Sequence, residues 1–407
     1  MDIRILSVNN IEEVKRQMYL IGTDEYGIRI MALKSELRLI KIAGLSNIAA
    51  NILKQELLSL GADAAISRGS LTGASKKTDC LVMANRLQLN RLNEKLRMQP
   101  FKLGELADQI NTVLDNYERD KFLIKTARFS LDLSQRVHLV GIVNITDDSF
   151  SGDGLLNKFN SRDCIIRHVE EMVEDGADII DIGGESTRPE ARPVSLKEEL
   201  NRTIPIIKLL SKRIKAPISI DTYKTQVARQ ALDAGASIVN DIMGTPLDGS
   251  MARLVAKFKA SLIIMHIKGK PSTMQNNPQY KSLMSEIISS LKKSLDKAIA
   301  NGLNSSSIII DPGIGFGKTA QHNLCILKNL SQLKCLGRPI LVGPSRKSFI
   351  GKVLGGLAAQ DRLFGTAAAC VLAVTNGAKI LRIHDIKEVK QLIRLTEAIN
   401  KSHNADN

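Results

Sequence analysis

Tryptophan is absent from this 407-residue chain, and aromatic residues make up only 3% of it. Surfaces that bind single-stranded nucleic acid stack bases on aromatic rings, so that class is disfavoured at the outset. Cysteine is scarce as well. Cys80, Cys164, Cys325, Cys335 and Cys370 are odd in number and include no C-x-x-C pair. An odd handful in a long chain argues against a disulfide framework and for a reducing, cytoplasmic compartment. The six histidines are scattered, with no H-E-x-x-H spacing and no Cys/His cluster, which disfavours a structural zinc site. No run approaches the roughly 20 apolar residues that span a bilayer. The longest, around Leu262–His266 and Ser307–Gly315, are strand-sized. The opening MDIRILSVNN contains no apolar core of signal-peptide length.

Positive charge, by contrast, is abundant. Lys and Arg number 57 against 42 Asp and Glu, a net charge of +15. Such a balance favours an anionic partner: nucleic acid, membrane phosphate or a phosphorylated substrate. The excess is shared, with 20 basic and 15 acidic residues in the first 130 positions and 37 and 27 in the rest. A chain that is 43% hydrophobic and 24% charged is globular. Its length suits two domains or one large one.

Residues 1–130 hold short strand-like runs at Met1–Val8, Tyr26–Ala32 and Cys80–Ala84. These mix with helical patterns at Ser35–Leu39, Asn47–Leu60, Gln88–Lys95 and Gly104–Tyr117. Gly61 is a natural stop after the second of these. The region is expected to be a small α/β domain. Gly69–Lys77 is rich in Gly, Ser and Lys, but without phosphate-loop spacing it reads as an ordinary loop.

From residue 136 to 400 the pattern changes. Apolar runs recur at Val137–Val143, Asp178–Ile182, Ile218–Ile220, Ser237–Val239, Ser261–Met265, Ser307–Ile310, Pro339–Val342 and Lys379–Ile383, with helical stretches between them. Alternation of this kind implies right-handed βαβ units on a parallel sheet. Eight units in about 270 residues fit a (β/α)8 TIM barrel better than an open sheet. The expected fold is therefore an α/β chain, a TIM barrel preceded by a smaller α/β N-terminal domain.

A barrel places its chemistry at the carboxyl ends of its strands. Polar residues cluster there: Asn144, Thr187 and Arg188, Asp221, Asn240 and Asp241, His266, Asp311, Ser345–Ser348, and Arg382 with His384. A single Asp or Asn after a strand is as well explained by helix capping, but eight such ends together are not. Asp221, Asn240 and Asp311 would accept hydrogen bonds from a ligand rich in N–H groups. Arg188, Arg346, Lys347, Arg382 and His384 would bind oxyanions. The mouth thus divides into two halves that suit a flat heterocycle carrying a phosphate leaving group.

The ordered runs GIVNITDDSF, GADIIDIGGESTRP, SIDTYK, VNDIMG, MHIKGKPSTMQ, DPGIGFGK, GPSRKSFIG and RIHD resemble dihydropteroate synthase, over about Val137 to Leu395. The resemblance implies a TIM barrel that condenses a dihydropterin methyl diphosphate with 4-aminobenzoate. The products would be dihydropteroate and diphosphate, formed in folate synthesis with Mg²⁺ by a cytoplasmic homodimer that is a target of sulfonamides. It further implies that Asp221, Asn240, Asp311 and Lys347 bind the pterin. Arg382 would cover the pterin face and help hold diphosphate, and Asn144 with His384 would form the Mg²⁺–diphosphate site. Thr187 and Arg188 would lie on the second loop, Ser348 would meet the aminobenzoate carboxylate, and Met265 and Phe316 would be apolar walls.

The chain departs from the family pattern in three places: Asp147 stands where Pro is usual, Gly152–Asp153 reverse the usual order, and Lys268 replaces a common Gln. Longer members of the family carry a similar N-terminal extension, expected to serve packing or assembly. The alternatives are a drifted pterin-binding paralogue, a pterin-dependent methyltransferase, or a non-enzymatic nucleic-acid protein. The methyltransferase class has no reason to carry the SRKS and RIH donors.

Overall fold

The computed structural model describes residues 3–6, 8, 10–72, 74, 76–146, 162–186, 193–244 and 248–402. Asp147, Gly152, Asp153, Thr187 and Arg188 lie outside the described residues. The chain divides into two compact units, Met1–Asp115 and Asn116–Asn407.

The first unit contains helices α1 (Ile11–Leu20), α2 (Glu25–Met31), α3 (Asn47–Ser59), α4 (Gly69–Thr72), α5 (Arg86–Arg97) and α6 (Leu103–Glu118), the last of which crosses the unit boundary. Strands β1 (Leu37–Ser46), β2 (Asp63–Ile66) and β3 (Lys77–Asn85) form an antiparallel sheet in the order β1-β3-β2. Leu53 and Leu57 of α3, Leu89, Leu92 and Leu96 of α5, and Val82 of β3 make its core. Two of the helix starts show their local cause. The Ser46 side chain accepts from the Ala49 N–H, and Asn85 with Gln88 closes a capping box on α5.

Three sequence expectations change here. The described part of Met1–Val8 forms no strand. Tyr26–Ala32 is helical because Asp24 caps it by accepting from the Gly27 N–H. Ser35–Leu39 enters β1, whose alternating exposure matches its pairing with β3.

The second unit opens with a hairpin, β4 (Leu123–Lys125) and β5 (Ser130–Asp132). Eight parallel strands then close into a barrel: β6 (His138–Asn144), β7 (Ile179–Gly183), β8 (Ile218–Asp221), β9 (Ile238–Asp241), β10 (Ser261–Met265), β11 (Ile308–Asp311), β12 (Ile340–Val342) and β13 (Ala378–Ile383). The ring closes by pairing β13 with β6, Ile380 opposite His138. Around it run α7 (Arg162–Asp175), α8 (Leu196–Arg213), α9 (Thr225–Ala234), α10 (Ser250–Lys257), α11 (Leu283–Ala300), α12 (Ala320–Lys328), α13 (Ser348–Val353), α14 (Leu363–Thr375) and α15 (Ile386–Lys401). All eight barrel strands coincide with the apolar runs.

The hairpin was not foreseen. A domain division at 130 would cut it from the barrel, whereas the compact units meet at Asp115/Asn116. The reason is packing: Ile124 and Leu133 join Val140, Ile179, Ile238, Ile263, Ile309, Leu341 and Ile380 in one buried cluster. That cluster fills the barrel interior, while Ile180, Ile182, Ile220, Val239, Ile264 and Ile310 pack toward the helices. Side chains two apart on a strand share a face, so the interior row continues from Ile179 to Asp181, Ile238 to Asn240, Ile309 to Asp311 and Ile380 to Arg382. The interior thus turns from apolar to polar within one step along the strands. Among the described residues, no helix is long and apolar enough to cross a membrane.

Candidate active site

Register sets the first part of the polar layer. Asn144 pairs with Gly183, Gly183 with Asp221, and Asp221 with Asn240, a continuous row across β6 to β9. Gly183 carries no side chain, which leaves room between Asn144 and Asp221. On the other side Met265 pairs with Asp311. The sequence therefore brings three of its expected pterin-binding residues and the expected metal donor to one end of the barrel.

The centre of the layer is an ion-pair network around Asp181. Its Oδ2 accepts from Arg382 Nε at 2.6 Å and from Asn240 Nδ2 at 3.1 Å. Arg382 also donates from Nη2 to Asp221 Oδ2 at 2.8 Å. Asp181 is wholly buried, and Asp181 Oδ1 and Asp221 Oδ1 find no hydrogen-bond partner among the described residues. One guanidinium thus faces two carboxylates, so the two halves expected of the mouth are joined by Arg382. Burial pushes the Asp221 carboxyl up to about 7; Arg382 opposes the rise and Asp181 adds to it. Burial also raises the Asp311 carboxyl, against the pull of Lys347 and the Gly313 N–H, which donates to Asp311 Oδ1 at 2.7 Å.

Lys347 comes in from the loop after β12. Its ammonium donates to the Ile314 carbonyl and stands 4.5 Å from the centre of the Phe316 ring. Burial lowers it to about 8 although Asp311 pulls the other way. Phe316 is half-buried, Met265 is buried, and Ser348 is exposed at the start of α13.

The 313–318 turn that carries Phe316 lies on the backbone leaving β10. A Cβ at Gly313 would sit 2.0 Å from the His266 carbonyl oxygen, and one at Gly317 would sit 2.2 Å from that of Lys268. Both glycines also have positive φ, 69° and 65°. Beneath the turn the Lys318 ammonium meets His266 Nδ1 at 3.0 Å, the His266 carbonyl at 3.2 Å and the Phe316 carbonyl at 2.9 Å. Burial drives Lys318 down to about 7 and His266 down to about 3, the latter helped by Lys318.

His384 is fixed by Ser345, whose Oγ lies 2.9 Å from His384 Nδ1 and accepts from the His384 backbone N–H at 3.2 Å. The contact holds the ring by its Nδ1 side and leaves Nε2 as the ring nitrogen not engaged by Ser345. Arg346, read from the sequence as an oxyanion donor, has its guanidinium on the Asp385 carboxylate.

Sequence reasoning missed Asp181 and the Lys318–His266 contact. The signal for Asp181 was present: it is the one charged residue inside the apolar run IIDIG, and a buried carboxylate needs a partner. Beside it, Lys224 donates to Glu185 Oε2 and Glu199 Oε2 at 2.6 Å each and to the Val194 carbonyl at 2.7 Å. No group of three or more metal-ligating acid, His or Cys side chains occurs among the described residues.

The pterin-binding-enzyme family model matches residues 140–384. A dihydropteroate synthase of Synechocystis is 48% identical over 268 residues, 66% of this chain and 92% of the relative. The crystal structure of Yersinia pestis dihydropteroate synthase in complex with a sulfonamide drug superposes with a TM-score of 0.66 at 38% identity, covering 69% of this chain and all of that one. The Burkholderia cenocepacia enzyme complexed with 7,8-dihydropteroate gives 0.61 at 36% identity, covering 69% and 96%.

Proposed function

The chain belongs to the dihydropteroate synthase family of pterin-binding enzymes, and we propose that its barrel mouth joins a dihydropterin methyl diphosphate to 4-aminobenzoate. It is a transferase, and its products are 7,8-dihydropteroate and diphosphate. The observation that carries the reading is the buried acceptor layer. Asp221 Oδ1 is an orphaned acceptor among the described residues, beside Asn240 and Asp311, in a ring bridged by Arg382. An unsatisfied buried acceptor costs about 1–3 kcal/mol. The N–H edge of a pterin would remove that penalty.

The carbon–oxygen bond to diphosphate breaks first, and diphosphate leaves with the electron pair. Positive charge spreads from the methylene carbon into the pterin ring. Asp221 and Asp311, as carboxylates, lower the energy of that cation, while Arg382 and His384 hold the departing oxyanion. The arylamine nitrogen then forms the new bond to carbon and gives up its proton to solvent. Ser348 receives the benzoate carboxylate, and Phe316 and Met265 form the apolar walls. No side chain becomes covalently attached.

Mg²⁺ fits this donor set. The Asn144 carboxamide oxygen is a hard ligand at the strand end, and Mg²⁺ commonly takes one or two protein oxygens with water and substrate phosphate. Bound there, it would neutralise charge on the diphosphate. We further propose a homodimer, favoured by the exposed Val353, Leu354, Leu357 and Phe364 around α13 and α14. A cytoplasmic setting agrees with five free cysteines.

The test is to incubate the purified chain with the pterin diphosphate, Mg²⁺ and 4-aminobenzoate. Diphosphate release should require 4-aminobenzoate and be inhibited competitively by a sulfonamide. Release independent of 4-aminobenzoate would identify a hydrolase and overturn the reading.

A further inference from the structure

Arg346 combines two features that do not usually meet. Its φ of 53° lies in the left-handed region, which costs a non-glycine residue on the order of 1 kcal/mol or more. Its guanidinium is forked onto Asp385, Nε to Oδ2 at 3.1 Å and Nη2 to Oδ1. The backbone is pinned on both sides as well: the Arg346 N–H donates to Thr366 Oγ1 at 3.0 Å, and its carbonyl accepts from Arg362 Nη1 at 2.9 Å. Asp385 is the N-cap residue of α15, yet its side chain makes no capping bond. An aspartate at that position ordinarily serves its own helix; here the carboxylate is turned to Arg346 instead.

We propose that Arg346 and Asp385 are positioning residues, a clamp that holds Lys347 and Ser348 in register with Arg382 and His384. Two adjacent pairs stitch the loop after β12 to the loop after β13: Ser345 to His384 and Arg346 to Asp385. The left-handed turn at Arg346 separates the directions of neighbouring side chains. Arg346 faces Asp385, while Lys347 faces the Ile314 carbonyl and the Phe316 ring. The clamp therefore sets the spacing between the groups assigned above to pterin and aminobenzoate and those assigned to diphosphate. In its effect on turnover the inference rests on that functional reading.

Two variants, Arg346→Gly and Asp385→Ala, test it, with Asp385→Glu as the conservative partner. Glycine accepts the left-handed backbone, so Arg346→Gly removes the fork and the strain together. Misplacement of reacting groups by about 1 Å costs up to about 100-fold in rate. Both variants should lose about tenfold or more in kcat/KM for 4-aminobenzoate, and the double variant should be no worse than either single one. Arg346→Gly should keep the thermal midpoint of the parent, and Asp385→Glu should recover part of the rate. Hydrogen exchange should rise in peptides 345–350 and 384–388 together in each single variant. Wild-type kinetics in the variants, a rate loss that merely tracks the thermal midpoint, or exchange confined to the mutated loop would overturn the clamp. A wild-type chain with no 4-aminobenzoate-dependent release would instead overturn the functional reading, and the exchange measurement would still judge the clamp.

Discussion

Asp181 accepts from Arg382 and Asn240 through one oxygen while fully buried, and so it orients two of the groups expected to bind substrate. Taking away one partner of a buried ion pair leaves the other charge desolvated, at a cost of about 3–5 kcal/mol. Asp181→Asn leaves Arg382 still paired with Asp221, so its loss of stability, read by urea unfolding, should fall short of that scale, while kcat should drop because Arg382 loses one of the two carboxylates that orient it. Parent-like stability and turnover would contradict this role. Asp221 yields a pH prediction. Its carboxyl stands at about 7 in the folded chain against 3.8 as a free side chain. Between those values the folded state holds a proton that the unfolded state has released. The contribution is full at low pH and is lost as pH rises through about 7. Asp221→Asn should therefore flatten the decline in unfolding free energy between about pH 4 and 7, measured by denaturant titration across that range. Much of this residue scale could be read in the sequence, because Asp221, Asn240 and Asp311 end apolar runs. The Lys318–His266 contact could not: 52 positions separate the two, and neither carries a motif that names the other.

Elements divide in the same way. Barrel strands are buried on both faces and read as continuous apolar runs, so all eight were visible. The β4–β5 hairpin has three-residue strands with alternating exposure, too short for a periodic signal. Helix α2 was hidden because its β-branched residues suggest a strand, and the Asp24 cap decides otherwise. The glycines of GIGFGK resemble a phosphate loop only superficially, and close backbone approach is their better reading from sequence; Gly313 and Gly317 do pack closely on the β10 exit. That assignment has a measurable consequence. Gly302 has φ 90° and open space around its missing Cβ, so Gly302→Ala meets only backbone strain, about 1 kcal/mol. Gly317→Ala meets the same strain plus the Lys268 carbonyl at 2.2 Å. Its loss in thermal stability should clearly exceed that of Gly302→Ala, and binding of 4-aminobenzoate should weaken because Phe316 moves with the turn. Equal losses in the two variants would show that the turn is not set by this contact.

At the scale of the molecule, the net charge of +15 does not by itself point to nucleic acid, since Arg382 at the barrel mouth faces the carboxylates of Asp181 and Asp221. Organisation matters more than net charge. The core of the first unit is built from residues 49 to 114, and the two barrel clusters draw nothing from them among the described residues. The barrel's interior cluster does require Ile124 and Leu133, which precede its first strand. Each is fully or nearly fully buried, and burying such a side chain is worth about 1.5–3 kcal/mol. Two truncations separate these contributions. A chain beginning at Asn116 keeps the hairpin and both barrel clusters, and should unfold cooperatively with 4-aminobenzoate-dependent turnover within about threefold of the full chain. A chain beginning at Arg136 lacks the hairpin, opens the barrel floor and exposes Val140, Ile179 and Ile263 to water. It should have a markedly lower thermal midpoint, although every residue assigned to the reaction is still present. If the two truncations behaved alike, the hairpin would be an appendage. If the longer one failed, the first unit would be needed to hold the barrel together, and the division of labour drawn from the separate cores would be mistaken.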